Sequence, residues 1–86
     1  MDWKEVDYYP SKPGSQKALW KDFSFPDFKS GLEFVNKVGE IAEKMGHHPD
    51  INLKWGYVSV WTTSHDQHKI TGKDYDLAKK IDEIKI

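Results

Sequence analysis

The chain has 86 residues, with 13 basic and 14 acidic side chains and no cysteine. A chain of this length makes one domain, 1–86, with a thin core that buries only about 60–65% of the unfolded surface and leans on aromatic side chains. The charge balance leaves no surplus of Lys and Arg for a nucleic-acid face or for anionic membranes, and the absence of cysteine excludes disulfides, thiolate zinc sites, iron–sulfur clusters and a cysteine nucleophile.

Met1-Asp2-Trp3-Lys4 has no apolar run behind it, so no secretory signal is expected. No apolar stretch approaches the roughly 20 residues needed to span a bilayer. A cytoplasmic protein is the expectation. Residues 3–9, with Trp, Val and Tyr, favour a strand. Pro10-Ser11-Lys12-Pro13-Gly14-Ser15-Gln16 reads as a loop. Residues 18–25 read as a second strand, with Leu19, Phe23 and Phe25 sharing one parity.

At Pro26 the period changes to helical. Phe28, Leu32, Val35, Ala42 and Met45 form one stripe, with Phe34, Val38 and Ile41 beside it. Pro26 suits the first helical position and Gly46 the C-terminal cap, which predicts a helix over 27–45. The apolar arc is wide for a helix on a thin sheet, so part of it is expected to meet another subunit. Residues 50–54 read as a short strand, and Gly56 as a turn or a bulge. Residues 57–63 alternate, with Val58, Val60 and Thr62 on one face and Tyr57, Ser59 and Trp61 on the other. Thr71-Gly72-Lys73-Asp74 has the form of a capping box, followed by Leu77, Ala78, Ile81 and Ile84 on one helical face. The order β-β-α-β-β-α predicts an α+β two-layer sandwich, an antiparallel sheet with both helices on one face.

All four histidines fall between positions 47 and 68. One pair closes the long helix, and the other follows the strongest strand. If the two element ends meet at one sheet edge, the imidazoles come together, and imidazole exchanges protons near neutral pH. Structural alternatives exist for each residue. Histidines at a helix end can complement its dipole, Asp74 can serve as a cap, and Trp55 and Trp61 can simply pack. His65-x-x-His68 with His47 and His48 offers nitrogens for a metal, but adjacent histidines point apart and no H-E-x-x-H pattern is present, so no metal site is expected. There is no G-x-S-x-G elbow and no glycine-rich phosphate loop.

The spacing goes further. Glu43, three residues, His47-His48-Pro49, five residues, Trp55, nine residues, His65, eight residues and Asp74 resembles the signature of the pterin-4a-carbinolamine dehydratases. Leu19-Trp20-Lys21-Asp22-Phe23-Ser24-Phe25 with Phe28 also looks like the family's second strand and helix entry. The resemblance runs from about Leu19 to the C-terminus. It implies the same β-β-α-β-β-α fold, in homodimers joined sheet edge to sheet edge or in homotetramers that pair dimers through helices. It implies dehydration of a 4a-hydroxytetrahydropterin to the quinonoid dihydropterin and water, a step in tetrahydropterin recycling, with no cofactor and with the pterin as small-molecule partner.

Elimination needs a proton delivered to the leaving hydroxyl and one removed from N5, which an imidazolium and an imidazole can supply. By resemblance His47, His48 and His65 are the catalytic residues, with His47 and His65 as the acid–base pair and His48 orienting the pterin, or with these roles exchanged. Glu43 supports an imidazole from one helical turn away, Pro49 fixes the chain's exit, Trp55 offers an aromatic surface, and Asp74 closes the motif. His68 lies outside it. Lys69 stands where glycine often follows the histidine turn, so that loop is expected to run differently if the position needs positive φ. Two further roles share this family resemblance: a non-catalytic dimerisation or adaptor protein, and a pterin-binding protein linked to molybdopterin metabolism.

Overall fold

The computed structural model describes residues 2–8 and 16–85. The loop expected over 10–16 falls outside the described residues except for Gln16, as does Tyr9 of the first strand. The elements are β1 (Lys4–Asp7), β2 (Lys17–Ser24), α1 (Phe28–Met45), β3 (Asp50–Lys54), β4 (Tyr57–Thr62) and α2 (Gly72–Asp82). One antiparallel sheet holds the strands in the order β1-β2-β4-β3. Both helices pack on the face that carries Leu19, Val58 and Val60. The expected two-layer α+β sandwich is the observed one.

The alternation in β4 sets the layers. Val58, Val60 and Thr62 are buried, and they join Leu19, Phe34, Val38, Leu77, Ala78 and Ile81 between the sheet and the helices. Trp3 closes the other end of this core. Its ring meets Phe23 edge to face at 5.9 Å, and its indole N–H donates to the Asp82 carboxylate at 3.1 Å.

The helix start differs from the sequence expectation, and the structure decides which of the two apolar stripes meets the sheet. Pro26 is not the first helical residue; it precedes an N-cap at Asp27, whose carboxylate accepts the Ser30 amide at 2.8 Å. A side-chain acceptor satisfies an otherwise orphaned amide, and that decides the start over the proline. The sheet-facing stripe is Gly31, Phe34, Val38 and Ala42, whereas Phe28 and Leu32 are exposed at 45% and 42%. Gly31 explains the rotation. A Cβ there would lie 3.0 Å from Leu53 Cδ1 and 3.5 Å from Val58 Cγ2. The helix therefore leans on the sheet through its smallest residue, and Phe28 and Leu32 turn away.

The other end of α1 positions the histidine pair. Gly46 sits at φ 66°, in the left-handed region. Its N–H reaches the Glu43 carbonyl at 3.3 Å, and the His47 N–H reaches the Ala42 carbonyl at 3.2 Å. These two bonds make a Schellman motif, which fixes the backbone of His47 directly. A Cβ on Gly46 would meet nothing within 4 Å, so Gly46→Ala carries a purely conformational penalty, about 1 kcal/mol. A thermal melt should show the midpoint falling by about 4–8 °C.

Candidate active site

Four element ends meet at one end of the sheet: the C-terminus of α1, the start of β3, the exit of β4 and the N-terminus of α2. Asp74 lies at the centre of them. It occupies the third position of α2 and is completely buried. A lone buried carboxylate would be strongly disfavoured, but this one accepts four hydrogen bonds. His47 Nε2–H and the Thr62 hydroxyl donate to Oδ1, each at 2.6 Å. The Ser64 hydroxyl at 2.8 Å and the Thr71 amide at 2.9 Å donate to Oδ2. Because Ser64 spends its proton on Asp74, the Thr71 hydroxyl donates to Ser64 Oγ at 2.6 Å. Among the described residues, no buried side-chain nitrogen or oxygen lacks a partner.

Burial pushes the Asp74 carboxyl up, but the bonds from His47, Thr62, Thr71 and Ser64 outweigh it and hold the group below the usual carboxylate range. Asp74 is thus an anion at neutral pH. An anion accepts only, so the His47 proton sits on Nε2 and Nδ1 is the basic nitrogen of the neutral ring. Asp74 closes the capping box and orients a histidine at once.

His48 follows His47 but turns away, and its Nε2–H faces the Glu43 carboxylate. Glu43 therefore supports His48 rather than His47. Both groups are largely exposed, so the pair is screened and contributes little to stability. Pro49 lies between His48 and the first residue of β3, where its fixed φ suits the turn from helix to strand.

His65 follows the buried Ser64 and is exposed. The loop behind it is tight: Ser64 and Lys69 exchange backbone bonds at 3.1 and 3.4 Å, and the His68 amide reaches the His65 carbonyl at 3.3 Å. The left-handed residue of this loop is His68, at φ 55°, and not Lys69. Histidine is one of the side chains better tolerated there, so lysine occupies an unstrained position.

Trp55 is the motif residue that the structure does not bring to this end. It lies in the β3–β4 turn, 71% exposed. Since β3 runs away from His48, Trp55 lies roughly 16 Å along the chain from the start of that strand. Tyr8, Asp50, Thr62, Ser64 and Thr71 complete the surroundings and were not singled out in the sequence as site residues. Thr62 carried a signal, a hydroxyl on the valine face of β4, because a buried hydroxyl needs a partner. Among the described residues, no three His, Cys, Asp or Glu side chains converge as a metal ion would require. Among the described residues, no helix is long and apolar enough to cross a membrane.

This end of the β-β-α-β-β-α fold carries a His47–Asp74 pair and a His48–Glu43 pair at the close of α1, with His65 just beyond the exit of β4. The family model for pterin 4 alpha carbinolamine dehydratase matches residues 1–84, and the chain belongs to that family. A protein of Roseiflexus castenholzii, provisionally named a pterin-4-alpha-carbinolamine dehydratase, is 48% identical over 64 residues, covering 74% of this chain and 69% of that protein. One of Sulfurisphaera tokodaii with the same provisional name is 50% identical over 67 residues, covering 78% and 72%. Among solved structures, a transcriptional coactivator/pterin dehydratase from Brucella melitensis superposes with a TM-score of 0.80 at 28% identity, covering 94% of this chain and 79% of that one. A pterin dehydratase-like protein described as a RuBisCO assembly factor in the alpha-carboxysome shares the fold, with a TM-score of 0.73 at 22% identity and coverage of 95% and 87%.

Proposed function

We propose that this protein dehydrates pterin-4a-carbinolamines by histidine acid–base catalysis. The observation that carries this reading is the buried Asp74–His47 pair, which holds the imidazole through Nε2 and leaves Nδ1 as the nitrogen that exchanges a proton, at the end of the sheet from which His48 and His65 also emerge. An adaptor has no need of a buried carboxylate that selects one tautomer.

In the reaction, the C4a–O bond breaks as the hydroxyl takes up a proton and leaves as water. The N5–H bond breaks as its electron pair forms the C4a=N5 double bond. The atoms balance with one proton given and one taken, and no electrons are exchanged. His47 and His65 form the donor–acceptor pair, each worth typically about 10²–10⁴-fold. His48, held by Glu43, orients the pterin ring, Pro49 holds the turn that presents both neighbouring histidines, and Asp74 positions His47.

We read Trp55 as acting from a second subunit in a cytoplasmic homo-oligomer. The strand β3 is an edge of the sheet, with the sequence Asp50-Ile51-Asn52-Leu53-Lys54. Antiparallel pairing of two such edges about Asn52 would set Asp50 opposite Lys54 of the partner subunit and Ile51 opposite the partner's Leu53. Opposite charges and apolar pairs at facing positions favour such a register. It would also carry Trp55 toward the histidine end of the neighbouring protomer.

Binding of 7,8-dihydropterin, followed by NMR of the histidine ring protons, tests the location of the site. Shifts confined to His47, His48 and His65 are expected. Saturable binding that moves none of these rings, or no binding at millimolar pterin, would contradict the assignment. Dehydration is also expected to proceed at an unchanged rate after EDTA treatment and desalting, because imidazole protons alone are asked to do the chemistry. Loss of rate restored by a divalent metal would overturn that expectation.

A further inference from the structure

The histidine end has a contributor from the far side of the sheet. Tyr8 follows directly on β1, and its amide donates to the Gln16 carbonyl at 2.8 Å, which holds the end of β1 against the start of β2. Its ring meets the His65 ring edge to face, with centroids 5.1 Å apart and planes at 70°. Its hydroxyl hydrogen-bonds to Asp50, the first residue of β3 at the opposite edge of the sheet. That bond, followed by burial and the charge of Asp50, raises Tyr8 to about 12, so the phenol remains a donor at any physiological pH. Tyr8 is thus held by its backbone, its ring and its hydroxyl.

His65 is held by much less. It is exposed, and among the described residues no side chain hydrogen-bonds to its ring. An exposed imidazole with no partner spreads over its staggered rotamers. An acid or base that must meet a reacting atom within a few tenths of an ångström loses rate in proportion to the time spent elsewhere.

We propose that Tyr8 is a positioning residue for His65, its ring selecting the orientation in which the imidazole meets the substrate and its bond to Asp50 keeping that ring in place. This rests on the reading of His65 as an acid or base. Asp74 fixes His47 and Glu43 faces His48 through hydrogen bonds to a carboxylate; His65 instead takes its orientation from an aromatic edge, and the carboxylate Asp50 acts one step removed. An edge-to-face contact of this kind shifts a rotamer equilibrium by roughly two- to tenfold, which sets the scale of the effect.

Tyr8→Leu and Tyr8→Phe separate the ring from simple filling of space. Both would be compared with the unaltered protein for kcat and KM in carbinolamine dehydration. The His65 Hε1 resonance would be followed through a pH titration by NMR. Tyr8→Leu is expected to lower kcat roughly five- to tenfold and to move the His65 resonance as the ring current is lost. KM should change by less than about twofold, since a contact that orients a catalytic group acts on the reacting complex. Tyr8→Phe keeps the ring and should keep both the resonance and kcat within about threefold. An unmoved His65 resonance and unchanged kcat in Tyr8→Leu would overturn the proposal, as would equal losses in the two variants. If the unaltered protein fails to dehydrate carbinolamines, the catalytic reading falls, and the His65 resonance alone then upholds or overturns the placement of its ring by Tyr8.

Discussion

His65→Ala is expected to lower kcat for carbinolamine dehydration by about 10²–10⁴-fold while the fold stays intact. The two halves of this expectation have separate grounds. The catalytic loss follows from removing one of two proton-transfer groups, and no neighbouring imidazole can replace it, since His47 and His48 are each turned toward their own carboxylate. The intact fold follows from exposure: His65 buries little surface and its ring makes no hydrogen bond among the described residues. Exposed substitutions away from caps and networks usually stay within about 0.5 kcal/mol. Thermal melts and single-turnover rates on the same preparation check both halves. A melting point lowered by ten degrees or more, with activity lost only in proportion to unfolding, would recast His65 as structural.

Asp74→Asn is expected to damage stability and rate together. The substitution keeps the volume but replaces an acceptor of four bonds with an amide that has one oxygen and one NH₂ group. Whichever way the amide is turned, it fails a neighbour. With its oxygen toward His47 and Thr62, its NH₂ group faces the Thr71 amide, which can only donate. With its NH₂ group toward His47, the imidazole must accept at Nε2 and carry its proton on Nδ1, the opposite tautomer to the one selected in the unaltered protein. Losing charge-assisted bonds inside the protein costs about 2–3 kcal/mol, or roughly 10–20 °C in a domain this small. Urea titration at neutral pH checks the first effect, and kcat measured below the lowered melting point checks the second. An Asp74→Asn protein as stable and active as the original would remove Asp74 from the account.

The same carboxylate gives the pH dependence its sign. Because the folded state holds Asp74 below the usual carboxylate range, more protons are bound on unfolding in mild acid. The stabilisation is complete above the unfolded carboxylate value near 4 and disappears as pH falls through the lower folded value. Stability should therefore decline between about pH 5 and the onset of acid unfolding, and Asp74→Asn should flatten that part of the profile.

Those local patterns were legible that a single element could express. The alternation of Val58, Val60 and Thr62, the Gly46 stop and the Thr71–Asp74 cap all follow from one strand or one helix end. The start of α1 was misplaced by one residue because proline and aspartate both signal a helix start, and only the side chain of Asp27 reaches an amide. The rotation of α1 was hidden because periodicity alone does not say which of two apolar stripes meets the sheet. Gly31 decided it through contact with Leu53 and Val58, more than 20 residues away. The motif histidines were visible as a spacing, but the pairing of His47 with Asp74 crosses 27 residues and needed the fold. Tyr8 carried no signal at all, because its contacts with His65 and Asp50 join the two edges of the sheet.

The measurement that bears most directly on the central claim is dehydration itself. A 4a-hydroxytetrahydropterin generated in place by an aromatic amino-acid hydroxylase would be followed in the ultraviolet as the quinonoid dihydropterin appears, with increasing amounts of this protein. The expected result is a rate that rises in proportion to protein at substoichiometric amounts and returns to the spontaneous rate with His65→Ala. Spontaneous kinetics at every concentration of folded protein would contradict the account.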